Sequence, residues 1–296
     1  MRNAGLMCGM AAATVMLVLG VGRNSAAQDK PKSPIAEQIE KARAAETPHT
    51  ADGHADLTGL WRPVGGAGGC GARLVFKKDD QGRPTDILFV APDADFSKLD
   101  AADRACRAAA DNQLPYKPEL LEKVKYLDEH TNEFDGALHC MPLGVPRMGA
   151  PNQIISYLGH VVLLYEGGES NINTFRVIPT DGRGHATDLE PSFLGDSVGH
   201  WEGNTLIVDV IGFNDRTWIS GDGHFHSEAM HVVERFTREG NSLKYEVTVE
   251  DPNVLTKPWV KAPTLLQLNT DPHATLEEDP PCVERDTPHL VTSEHH

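Results

Sequence analysis

The sequence predicts a mainly β protein, an antiparallel β-barrel-like or strongly curved sheet with two or three helices at one end. Three observations carry this. From residue 151 onward the chain is a succession of short β-branched segments separated by Gly, Asn, Asp or Pro, the texture of consecutive antiparallel strands. Two of the connections are hairpin turns, Glu202–Asn204 in "HWEGNTL" and Glu239–Asn241 in "TREGNSLKY". After the second turn, Leu243, Tyr245, Val247 and Val249 alternate with Lys244, Glu246, Thr248 and Glu250, so one face of that strand is buried and the other wet.

The chain is read in order as follows. Arg2, an apolar run from Met10 to Val21 and small residues at Ser25, Ala26 and Ala27 are read as a signal peptide over residues 1–27, cleaved after Ala27. Cys8 comes too early to be a lipidation site, and no later stretch is long and apolar enough for a stable membrane anchor. The expected location is therefore periplasmic or secreted. Residues 28–55, rich in Lys, Glu, Ala, Pro and Thr, read as a flexible or loosely docked lead-in. A single β-rich domain is expected over 56–286 and a tail over 287–296.

Within that domain "DLTGLWRP" opens a strand, and "GGAGGCG" at 65–71 is a glycine loop without the Lys-Ser/Thr of a phosphate cradle. "RLVFKK" and "DILFV" form a strand pair. "KLDAADRACRAAADN" and "PELLEKVKYLDEHT" are the helices, the second with Pro118 in its first turn.

Taking Arg2 and Arg23 from 27 bases leaves 25 against 43 acids, a formal net charge of −18 after cleavage. That surface repels phosphate backbones and argues against a nucleic-acid partner. A small-molecule substrate or ligand is the expected partner, and nothing in the sequence fixes the oligomeric state. Cys70, Cys106, Cys140 and Cys282 remain. In an oxidising compartment they read as two disulfides, with Cys140–Cys282 and Cys70–Cys106 favoured among three pairings.

"CMPLGVPR", "LYE", "IPTDGRGH", "PSFLGDSVGHWEGNTLIVDVIGFNDRTW", "HSEAMHVVERF" and "YEVTVEDP" resemble a family of exported bacterial proteins of mostly unassigned function, over about residues 56–286. The architecture this implies is lipocalin-like by analogy, and the resemblance implies no reaction. Asn204 stands where that family often has Asp.

Chemistry concentrates in three places. Asp209 interrupts the apolar "TLIVDVIGF", so it must be paired, hydrogen-bonded or facing a wet cavity; it is the expected orienting partner of a histidine base. His226 or His231 in "GDGHFHSEAMHVVERF" is that base, and Arg183 or His185 in "TDGRGHATD" stabilises a developing oxyanion. For Arg183 the alternative is a tight turn with an ion pair to Asp181. Asp215, Trp218 and Asn214 in "GFNDRTW", together with Tyr165 and Glu228, are expected substrate contacts. The leading reading is an exported, cofactor-independent lyase, hydratase or isomerase acting by proton transfer. One alternative is a periplasmic small-molecule binding protein. Another is a metal-dependent enzyme using His224, His226 and His231, which requires a break in the strand because His231 has the opposite parity. A turn over Gly221–Ser227, with the strand from about Ala229, is expected to let His226 approach His231 or Asp209.

Overall fold

The computed structural model describes residues 34–64, 74–78, 84–89, 113–157, 159–166 and 173–278. The signal-peptide reading, the first helical stretch, the glycine loop from residue 65, the C-terminal tail and Cys70, Cys106 and Cys282 lie outside them. Cys140 is disulfide-bonded, and the half-cystine that completes the bond lies outside the described residues too.

In chain order the elements are α1 (Pro34–Arg43), β1 (Gly59–Pro63), β2 (Leu74–Lys78), β3 (Pro84–Phe89), α2 (Leu121–Glu129), α3 (Thr131–Phe134), β4 (Gln153–Tyr157), β5 (His160–Tyr165), β6 (Thr174–Pro179), β7 (Asp196–Glu202), β8 (Thr205–Ile211), β9 (His231–Glu239), β10 (Ser242–Glu250) and β11 (Trp259–Asn269). β2 and β3 pair only with each other, and the other nine strands form one antiparallel sheet in the order β6-β5-β4-β1-β11-β10-β9-β8-β7. β1 joins two meanders, pairing Trp61 with Leu268 on one side and Leu60 with Gln153 on the other.

Nine is an odd number, and this has a consequence at the ends of the sheet. If every neighbour is antiparallel, the two edge strands β6 and β7 must run in the same direction. They cannot continue the antiparallel ladder, and parallel neighbours need a long connection, supplied here by residues 180–195. Side chains bridge the gap instead. Arg176 Nη2 donates to Ser197 Oγ at 2.9 Å. Two residues on, a Cβ at Gly199 would lie 3.0 Å from Ile178 Cγ2 and 3.1 Å from Thr180 Cγ2. The pairs 176/197 and 178/199 advance together, as parallel neighbours do. The nine strands form a nearly closed barrel, as the strand pattern predicts, with one seam between β6 and β7.

Both expected hairpins are present, with Glu202 opposite Thr205 and Glu239 opposite Ser242. Leu243, Tyr245, Val247 and Val249 are buried as their alternation requires, beside Trp61, Ile154, Leu163, Val208 and Phe236. Each such side chain removed from water contributes about 1.5–3 kcal/mol.

Helices stand at both ends of β9. Leu120, Val124 and Leu127 of the α2 region pack on the core. Gly223, just before β9, approaches so closely that a Cβ would lie 2.3 Å from the Val124 carbonyl oxygen. At the other end of β9, Asn241 N donates to the Ala42 carbonyl at 2.8 Å and Arg43 pairs with Glu239 at 3.1 Å. His54 stacks on Trp201 with ring centroids 5.0 Å apart. Part of the segment read as a flexible or loosely docked lead-in forms α1 and docks: the Ala42 carbonyl accepts from the Asn241 amide and the Thr47 hydroxyl from the Gly240 amide of the β9–β10 turn. No described helix is long and apolar enough to cross a membrane.

Candidate functional site

Strand alternation places two charged clusters on opposite faces of the same sheet. On β8, Leu206, Val208 and Val210 face the core, so Asp209 faces out. On β9, Val232, Glu234 and Phe236 are buried, so His231 faces out and Glu234 faces in.

The outer cluster contains three of the residues singled out in the sequence. Asp209 Oδ1 accepts from His185 Nε2 at 2.9 Å and Asp209 Oδ2 from His231 Nε2 at 2.8 Å. His185 Nδ1 meets Asp196 Oδ2 at 2.7 Å, and His231 Nδ1 lies 3.7 Å from Glu250 Oε2. Both ring nitrogens of His185 face carboxylate oxygens, an arrangement that favours the charged ring. Partial burial works against that charge, but the bonds to Asp209 and Asp196 prevail and raise the His185 pKa. Burial likewise pushes the Asp209 carboxyl up, and the two histidines more than reverse this, holding it below its ordinary value. Asp209 thus orients two histidines. One, His185, is clamped between two carboxylates; the other, His231, is one-third exposed.

His226 lies elsewhere. It is buried, Nδ1–H donates to the Ser227 carbonyl at 3.0 Å, and Nε2 accepts from the Thr217 hydroxyl at 2.8 Å. Burial lowers its pKa. The expected approach to His231 or Asp209 does not occur: a turn does break the chain before β9, but it folds His226 into the core against Phe213. His224 Nδ1 is 2.6 Å from Ser220 Oγ and its ring stacks on Tyr116. The three histidines therefore do not converge. Among the described residues no group of three or more His, Cys, Asp or Glu side chains is placed to hold a metal ion.

The remaining sequence candidates are scattered. Arg183 is exposed and forms the turn ion pair with Asp181, Nη2 to Oδ2 at 2.5 Å. That bond holds the Asp181 carboxyl down at about 2. Trp218 is a core residue bridged to Phe225. Asn214 Oδ1 accepts from the Arg216 amide at 3.1 Å as a turn residue. Asp215 and Glu228 are exposed.

Tyr165 leads to the inner cluster. Arg176 Nη1 pairs with Glu234 Oε2 at 2.6 Å and donates to the Tyr165 hydroxyl at 3.3 Å, and Tyr245 donates to Glu234 Oε1 at 2.8 Å. All four residues are buried. Burial raises both tyrosine hydroxyls, with Glu234 adding to it. Burial alone would depress the Arg176 guanidinium; the Glu234 carboxylate reverses that and raises it. Sequence reasoning gave no role to Arg176 or Glu234. The available signal was charge at buried-parity positions, Arg176 in "TFRVIP" and Glu234 in "HVVERFT".

The two clusters meet at the seam. A cleft of about 500 Å³ lies between β6 and β7, lined by residues of both strands and of the 180–195 connection, among them Arg176, Ser197, Asp196, Arg183 and Ala186. Neither bordering edge has a ladder partner across the gap, so backbone amides and carbonyls line it as well.

No family model matches the chain, and no curated protein matches it. Among solved structures it is similar to a mutant of the fluorescent protein UnaG. The two are 15% identical, with a TM-score of 0.25, over 47% of this chain and 88% of that one. A similarity that low carries no argument about this chain, whose fold rests on its own strand ladder.

Proposed function

We propose that the chain binds a small, largely apolar organic molecule in the seam cleft. The cleft itself is the observation that supports this reading. Its volume falls within the roughly 300–1,000 Å³ typical of small-molecule sites, and it pairs apolar walls (Phe175, Val177, Leu194 and Val198) with a few fixed polar groups. Export to the periplasm or beyond, with the pairing Cys140–Cys282, belongs to the same proposal. Thermal unfolding against a panel of small aromatic and branched aliphatic compounds tests it. A ligand at about 100 times its Kd should add about 2.7 kcal/mol to stability. Ala186→Trp, at the exposed rim, should abolish that shift without changing the unliganded melting temperature. Equal shifts in the variant would place binding elsewhere.

A second reading, proton-transfer catalysis, draws on one observation. His231 Nε2 bonds to Asp209 at 2.8 Å while the ring stays partly exposed, an oriented histidine suited to act as a base. In that reading His231→Ala lowers turnover of a substrate about 10²–10⁴-fold. Ligand binding in the cleft without any turnover would remove it. His226, sealed in the core, has no part in either reading.

A further inference from the structure

We infer that the outer face of β4, β5 and β6 is a docking surface for a second copy of this chain. The inference goes beyond the cleft and does not depend on it. Strand alternation builds the face. Ile154, Val161, Leu163 and Ile178 point inward and are buried, so their neighbours in sequence point out. Ile155, Val162 and Val177 then form one cross-strand row. Leu164 and Phe175 stand in the row on one side of it, Tyr157 and Pro179 in the row on the other. Gln153 and His160 complete these rows, so no Asp, Glu, Lys or Arg side chain interrupts them.

These side chains stay in water: Phe175 is 62% exposed, Tyr157 48%, Val177 45% and Ile155 39%. An aromatic side chain presents about 150–250 Å², so the whole face offers apolar area on the order of 400 Å². A homodimer of standard size buries about 800 Å² per copy, about 65% of it apolar. The face therefore supplies most of the apolar core that such a dimer requires, and contiguous patches of this size mark interaction sites.

Charge decides the occupant. The chain carries a formal net charge of −16, and the outer face of β8, β9 and β10 presents Asp209, His231, Arg235, Glu246 and Glu250. Two copies repel one another over most of their surface and can meet where neither shows a carboxylate. Pairing this face with itself about a two-fold axis satisfies that condition. A membrane surface fits less well. Arg62 and Arg183, at the two ends of the face, are already paired with Glu166 and Asp181, so neither is available to an anionic headgroup.

Sedimentation velocity of the full chain between about 1 µM and about 100 µM tests this, a range suited to an interface without ionic anchors. A monomer–dimer equilibrium is expected, strengthened by added salt because salt screens the net charge. The test substitutions sit on β4, because Phe175, Val177 and Pro179 also line the cleft. Ile155→Glu and Tyr157→Glu, each made separately, should weaken the dimer at least about a hundredfold with circular dichroism unchanged, since each sets carboxylates of both copies in one interface. Val260→Glu is the control: Val260, on β11, is 64% exposed but has the polar Thr248 as its ladder partner. It should leave the dimer unchanged. A monomer at every concentration would overturn the inference, and binding of that monomer to phosphatidylcholine vesicles would give the face to a lipid surface instead. A dimer that survives both β4 substitutions, or one that dissociates as salt is added, would place the interface elsewhere and overturn it too.

Discussion

Glu234 and His231 sit three residues apart on one strand, one facing the barrel interior and the other facing water, and each belongs to a charged cluster. The inner cluster, Arg176–Glu234 with Tyr165 and Tyr245, is fully buried. The outer ribbon, Asp196–His185–Asp209–His231, keeps between about a fifth and a third of each side chain exposed. Distances are similar in both, and burial separates them. In the interior the partners are sealed from water, and losing either strands the other without it. On the surface solvent screens the charges, and the ribbon ties the 180–195 connection to β7 and β8. Equal geometry thus yields a buried ion pair sealed from water in one place and a pH-responsive fastening in the other.

The largest effect should follow from separating the inner pair. Arg176→Met leaves the Glu234 carboxylate buried and unpaired, and should cost about 3–5 kcal/mol in urea unfolding. Arg176→Met with Glu234→Met removes both charges and should recover most of that loss. If the double variant were as unstable as the single one, the pair would be a stability device, and the contrast between the clusters would be weaker.

Histidine burial sharpens the comparison next. His226→Ala removes two hydrogen bonds and strands the buried Thr217 hydroxyl, which should cost about 2 kcal/mol. The two kinds of histidine should also bend the pH profile in opposite directions. His226 has a lowered pKa, so the unfolded chain takes up its proton first, and stability is lost as pH falls below the unfolded value of about 6.5. His185 has a raised pKa. Its contribution is complete below about 6.5 and is lost as pH rises through the folded value. Asp209, held low, contributes above about 3.9 and loses its contribution as pH falls through its folded value. Urea midpoints measured across this range should show a weaker acid slope in His226→Ala and a weaker alkaline slope in His185→Gln. Parallel profiles for the two variants would contradict the assigned protonation states.

The outer ribbon was more legible in the sequence than the inner cluster. Asp209 stands out because a carboxylate in "TLIVDVIGF" must have a partner, and two of the proposed histidines proved to be its partners. His226 was misplaced because sequence distance stood in for spatial distance. The turn before β9 sends its ring inward to Thr217, a pairing that spacing cannot reveal. Arg176 and Glu234 were given no role because their pairing is set by barrel closure: β6 meets β9 only across the interior. The barrel itself was readable from strand alternation and the two hairpin turns. Its seam depends on the number of strands in the sheet, and local pattern does not count that number.

The smallest effect should come from Arg183, the one arginine assigned a role from sequence. It pairs with Asp181 two residues away, in a turn both of them share. The two charges remain in water, so little desolvation is at stake, and salt screens what attraction there is. Local sequence also holds them together, and the unfolded chain retains part of their proximity. Arg183→Ala should therefore leave the urea midpoint unchanged within error at low and at high salt. It should still allow the Asp181 carboxyl, now at about 2, to rise toward an ordinary aspartate value, which carboxyl NMR titration would detect. A clear loss of stability would show that this exposed pair shares the burden of the inner one, and that exposure is not what separates the two clusters.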